Sequence, residues 1–183
     1  MNRIPGIPTT YKNIQFRSRL EAKWAAFFDL LGWKWQYEPV DLNGYIPDFV
    51  LEGVESVLVE IKPAMSLTEL ESHTTKLDAI DWSSEIILLG TRPFESNLFD
   101  VAGLGLIGEF FSDGRGWNGT VLAREDSSDR WDFCSEIGRY SGRMFNGDHH
   151  GFPTWASQDR PLIAEVASMW TDAGTTVRWK PKR

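Results

Sequence analysis

The chain has 183 residues, 42% hydrophobic and 25% charged, with a formal net charge of −7 at pH 7. That length suffices for one domain burying about 70% of its unfolded surface, and the lone Cys134 excludes an internal disulfide and points to a reducing compartment. No stretch approaches the ~18 apolar residues of a membrane span and "MNRIPGIPTT" lacks an apolar signal core, so a cytoplasmic protein without membrane association is expected; the acidic balance also weighs against a uniformly basic nucleic-acid binder. Residues 1–13 read as irregular, broken by Pro5, Gly6 and Pro8. Ser18 and Glu21 form a capping box, and Leu20, Trp24, Phe27 and Leu31 recur at helical spacing, so a helix is predicted over 18–31 with Gly32 as its stop. "KWQYEPV" reads as a strand, followed by a turn near Asn43-Gly44 and a hairpin through "GYIPDFVLEGVESVLVEIKP". A second capping box, Ser66 with Glu69, opens a helix predicted over 67–80, and the apolar run "EIILLG" reads as a buried strand. Strand, helix and strand in that order imply a βαβ crossover and a mixed sheet.

The second half offers short strands at "GLIGEFF", "GTVLAR" and "RWDFCS", and a loop over 141–160. A helix follows at "PLIAEVASMWTDAG", with Pro161 in its first turn and Gly174 as its stop, then a last strand at "TTVRWK". Charge is unevenly placed. Residues 1–40 carry six basic side chains against three acidic ones, and the last six residues add Arg178, Lys180, Lys182 and Arg183 without an acid.

The hairpin raises a question of charge. Side chains alternate along a strand, so Leu58, Glu60 and Lys62 share one face and Val57, Val59 and Ile61 the other; Asp48 and Val50 share a face opposite Phe49 and Leu51. A hairpin symmetric about Val54 pairs 48 with 60, 50 with 58 and 52 with 56. Asp48 and Glu60 then become neighbours, with Lys62 one step along. Two carboxylates at ~5 Å repel by about 3 kcal/mol at an effective dielectric of 20. A shared proton, an interposed cation or a wet site relieves that cost. Hard divalent ions take carboxylate oxygens, and a lysine beside such an ion can orient water or neutralise phosphoryl charge.

Pro47-Asp48, a short spacer and Glu60-x-Lys62 resemble the PD-(D/E)xK, or restriction-endonuclease-like, nuclease superfamily. "FRSRLEAKWAAFF", "YEP", "YIPDFVL" and "VEIKP" follow the order and spacing of its small phage-type members. They are similar also to the end-cleaving subunit of Tn7-type transposons. The resemblance covers residues 11–92. It implies an α/β fold with an αβββαβ core and a mixed central sheet, here residues 1–92; residues 93–183, to which the resemblance does not extend, read as a β-rich C-terminal elaboration of the same domain. It implies that Asp48 and Glu60 bind Mg²⁺ or Mn²⁺, that Lys62 handles the attacking water, that Glu21 completes the acid set, and that the Ile61 carbonyl adds a ligand. If the chain is phage-encoded, its compartment is the host cytoplasm.

Other features carry a bland reading beside a functional one. The capping box alone accounts for Glu21, so a cap in the free form and a ligand in the metal-bound form stand side by side. Lys76 is a solvated helix lysine or a phosphate contact. Arg17 and Arg19 flank a helix N-terminus suited to phosphate. Lys180, Lys182 and Arg183 form a basic tail suited to DNA backbone. Trp33, Trp35, Trp117 and Trp155 are core residues or platforms for unpaired bases. "GLGLIG" matches a dinucleotide fingerprint but no helix pattern follows, so no nucleotide cofactor is expected. Cys134, His149 and His150 do not form a recognisable zinc pattern. The expected function is metal-dependent hydrolysis of DNA, with a homodimer or a protein partner as possible assemblies. The alternatives are a partner-dependent strand-cleaving subunit of a recombination or transposition machine, and a non-catalytic DNA-binding or assembly protein.

Overall fold

The structure is a computed structural model that describes residues 6–95, 102–112, 114–124, 130–136, 143–145 and 160–177. The chain opens with a small hairpin, β1 (Thr9–Tyr11) and β2 (Ile14–Phe16), where the sequence predicts irregular backbone. Lys12 and Asn13 both take positive φ, 46° and 64°, which gives a two-residue turn whose twist suits antiparallel strands. Tyr11 Oη donates to Asp29 at 2.7 Å and Lys12 pairs with the same carboxylate, tying the hairpin to the next helix.

That helix, α1 (Arg19–Leu30), starts on Ser18, whose hydroxyl accepts the Glu21 N–H, and ends at Gly32 with φ 75°. Its apolar stripe buries Trp24, Phe27 and Phe28 completely. Each such burial stabilises the fold by about 1.5–3 kcal/mol. β3 (Trp35–Tyr37) is shorter than its apolar pattern because Glu38 turns the chain at φ 46°. β4 (Phe49–Glu52) and β5 (Ser56–Ile61) form the hairpin in the register read from the sequence, Val50 opposite Leu58 and Glu52 opposite Ser56.

The segment predicted as one helix over 67–80 is two, α2 (Leu67–Glu71) and α3 (Thr74–Asp78). The Ser72 and Thr74 hydroxyls bond back to the Glu69 and Glu71 carbonyls, at 2.7 and 2.9 Å, and compete with the helical ladder at the break. β6 (Ile86–Leu89) then pairs parallel with β5, completing the predicted crossover. β7 (Gly105–Phe111), β8 (Gly114–Arg124) and β9 (Trp131–Ser135) add antiparallel strands in turn, so one mixed sheet runs β3-β4-β5-β6-β7-β8-β9. The last helix, α4 (Arg160–Thr176), runs through Gly174 instead of stopping there. A Cβ at 174 would stand 3.0 Å from Lys23 Cε, so the glycine makes room for Lys23, whose ammonium lies 3.8 Å from the Trp170 ring. Thr175 and Thr176, read as the start of a strand, are helical; residues 178–180 lie outside the described residues.

The sheet is covered on both faces. One core joins α1 and α4 to Phe49, Leu51, Val57, Val59, Ile61, Ile87 and Leu89; the other joins α2 and α3 to Val50, Leu58, Ile86, Leu88 and Leu106. The second half also reaches back to the site-bearing hairpin. Buried Asp132 accepts the N–H groups of Phe133, Arg143, Met144 and Phe145, and the Arg143 carbonyl in turn accepts the Val54 N–H at 2.9 Å. The Arg143 guanidinium is nearly buried between Glu85 and Glu109, at 2.6 and 3.0 Å.

Candidate functional site

Extending the β4–β5 register by one residue sets Asp48 opposite Glu60, on the sheet face of Val50 and Leu58. Asp48 is 5% exposed and Glu60 7%. The ladder yields to a side chain at this point: Asp48 Oδ2 accepts the Ile61 N–H at 2.7 Å. Pro47, next to it, has no N–H with which to continue the pairing. The Asp48 carbonyl accepts the Glu38 N–H at 3.1 Å, so its backbone is pinned on the β3 side as well.

Glu60 is held at both oxygens. Lys62 Nζ pairs with Oε1, and Tyr45 Oη donates to Oε2 at 2.6 Å. Tyr45 is aimed by a tight turn in which Asn43 and Gly44 take φ 56° and 90°, Leu42 bridges to Tyr45, and Asp41 accepts the Gly44 N–H. The outward oxygen of Asp48, Oδ1, receives Arg17 Nη2 at 2.6 Å. Arg17 Nε reaches Glu38 at 2.7 Å.

Glu21 takes its structural role. Its carboxylate accepts Ser18 Oγ at 2.7 Å and Tyr37 Oη at 2.6 Å, with the Arg17 N–H at 3.2 Å. It approaches from α1, which packs on the opposite face of the sheet, but its charge is felt at Asp48.

Burial and then the Glu60 charge drive the Asp48 carboxyl up to about 7, against the opposing pull of the Ile61 N–H and Arg17. Burial comes first for Tyr45 too, raising its phenol well above the ordinary value, with Glu60 adding to it; Tyr37 rises to about 12 through burial and its bond to Glu21. His73, at the break before α3, is pushed down by burial and then by Lys62 and Lys76.

Asp48, Glu60, Lys62 and Arg17 are therefore brought together, with Ile61 between them at the end of β5. Lys76 lies near enough to act on His73 but makes no ion pair among the described residues. Arg19 shares a helix face with Lys23, one turn on, and adds to the burial that chiefly depresses that lysine; among the described residues it makes no ion pair with the acids. Lys180, Lys182 and Arg183 lie outside the described residues, as do His149, His150 and Trp155. Trp33 is buried with its indole N–H on the Trp131 carbonyl, which leaves it no room to stack on a base; Trp35 packs on Phe49, and the partly buried Trp117 donates to Asp78. Cys134 is a buried thiol pushed up to about 12, chiefly by burial.

The sequence alone does not mark Tyr37, Tyr45 or His73 as site residues. A signal existed for Tyr45, which stands three residues before Asp48 and just after the Asn43-Gly44 turn. Two carboxylates with oxygen donors alone suit a hard divalent ion that keeps its waters. Among the described residues no group of three or more His, Cys, Asp and Glu side chains is arranged to hold a metal, and Glu21 is turned into its cap. No protein-family model matches the chain, and no curated protein or solved structure matches it.

Proposed function

We propose that the chain is a metal-dependent nuclease that hydrolyses DNA phosphodiester bonds on a restriction-endonuclease-like core. The observation that carries this reading is the buried acid pair, Asp48 and Glu60, on one face of adjacent strands with Lys62 paired to Glu60. Buried like charges oppose folding, and the same-face neighbours Val50 and Leu58 show that the fold itself asks for apolar side chains there. Asp48 and Glu60 are the residues that would hold Mg²⁺ or Mn²⁺; the Ile61 carbonyl would add a ligand, and Glu21 would join only by leaving Ser18 and Tyr37. The ion, when bound, would polarise a phosphoryl oxygen and acidify a water. Lys62 orients the attacking water or neutralises charge growing on the phosphate. Tyr45 fixes the Glu60 carboxylate.

A second reading is a strand-cleaving subunit that works only with a partner, or a DNA-binding assembly protein without turnover. The closed arrangement favours it: both oxygens of Asp48 and both of Glu60 already have protein donors. The test is cleavage of labelled duplex, single strand, flap, four-way junction and RNA in Mg²⁺, Mn²⁺ or EDTA, with Asp48→Asn and Lys62→Ala alongside and folding checked by circular dichroism. Metal-dependent cutting of DNA, lost in both variants, is the expected result. No cutting by folded wild type on any substrate would reject the autonomous enzyme in favour of the second reading.

A further inference from the structure

Arg17, one residue before the α1 N-cap, lies at the junction of four site residues. Besides its side-chain bonds to Asp48 Oδ1 and Glu38 Oε1, its backbone N–H stands 3.1 Å from Tyr37 Oη and 3.2 Å from Glu21 Oε2. The Arg17–Asp48 pair is lopsided in exposure: the arginine side chain is 58% exposed and the aspartate side chain 6%. Asp48 Oδ2 faces inward to the Ile61 N–H, so Oδ1 is the outward oxygen and the guanidinium covers it.

We propose that Arg17 is a resident counter-cation of the acid pair. A divalent ion entering at Asp48 and Glu60 displaces its Nη2 from Asp48, and the freed guanidinium then binds a DNA backbone phosphate. The inference rests on the metal-dependent reading above and adds a coupling between ion and DNA. Two cations compete for one carboxylate oxygen, and the divalent one is favoured where two acids converge. Displacement does not release the side chain, because Arg17 Nε stays on Glu38. That glutamate is itself fixed to the site through its N–H on the Asp48 carbonyl. Arg17 therefore swings about a held Nε and keeps a free, planar pair of donors at the solvent edge, the geometry that suits phosphate. Coupling of this kind is reciprocal: DNA strengthens ion binding by the factor by which the ion strengthens DNA binding.

The test uses the full chain and two readouts other than cleavage. Mn²⁺ binding is followed by electron paramagnetic resonance of the free ion for wild type, Arg17→Ala, Arg17→Gln and Asp48→Asn. Binding of a labelled DNA duplex is followed by fluorescence anisotropy in Ca²⁺ and in EDTA. Both Arg17 variants should bind Mn²⁺ about 5- to 150-fold tighter than wild type without DNA, the usual span of such couplings, and should lose the gain in duplex affinity that Ca²⁺ gives wild type. Arg17→Gln keeps a hydrogen-bonding side chain at an exposed position, so the result does not depend on Arg17→Ala folding. Unchanged or weaker Mn²⁺ binding in the Arg17 variants, with binding abolished by Asp48→Asn, overturns the counter-cation and leaves the metal site standing. No Mn²⁺ binding by wild type or by either Arg17 variant overturns both.

Discussion

Replacing Asp48 by Asn should change how stability depends on pH. The Asp48 carboxyl rises from 3.8 to about 7 on folding, first through burial and then through Glu60. That rise is worth at most about 4 kcal/mol, and relaxation and water around the site reduce it to about 2 kcal/mol. Because the folded state holds this proton more tightly than the unfolded chain, the contribution is complete below about pH 4 and is lost as pH climbs through 7. Asparagine has no proton to lose, and its carbonyl can still accept the Ile61 N–H. The loss of the Arg17 pair is already contained in the net shift. Urea unfolding in EDTA should therefore show the stability of Asp48→Asn minus that of wild type rising by about 2–4 kcal/mol from pH 4 to pH 8. Adding Mn²⁺ at pH 8 should then stabilise wild type alone. Parallel stability curves would refute the reasoning, since they would mean that burial and Glu60 do not dominate at Asp48.

Tyr45→Phe leaves Glu60 Oε2 without the donor that holds it at 2.6 Å, so it should lower stability by about 1–3 kcal/mol near neutral pH, read by urea denaturation. Asp132→Ala orphans four backbone N–H donors, that of Phe133 and the three of the 143–145 segment, and frees the Val54 turn that rests on that segment. It should cost about 3 kcal/mol or more, seen as a fall in thermal midpoint, and amide exchange should rise at Val54.

The parts of the fold legible in the sequence are those decided locally. Ser18, Glu21 and Gly32 bound α1, and alternation about Val54 gives the β4–β5 register, so the shared face of Asp48, Glu60 and Lys62 follows before any coordinate is known. Features decided by single side-chain bonds are less visible. The hydroxyls of Ser72 and Thr74 split one predicted helix into two, and the positive φ of Lys12 and Asn13 makes a hairpin where prolines suggest disorder of pattern. Gly174 reads as a stop because its packing against Lys23 depends on a residue 151 positions away. The same distance in sequence hides the surroundings of the site. Nothing local announces that Arg17 meets Asp48, 31 positions on, or that the acid of a well-formed cap, Glu21, faces Tyr37. The second half shows its strands by apolar runs, but their order in the sheet comes from pairings between distant segments.

The antiparallel pairing of β6 with β7 has a practical consequence for anyone isolating the motif-bearing half. A fragment ending at residue 92 would keep Asp48, Glu60 and Lys62 yet turn Ile86–Leu89, a four-residue run of uninterrupted aliphatic side chains buried on both faces, into a bare border. No charge or proline guards that run, and its free N–H and C=O groups would recruit a strand from a second molecule. The smallest soluble unit therefore extends at least through β7, and the residues that look like an appendage in the sequence act as the lid on a sticky seam.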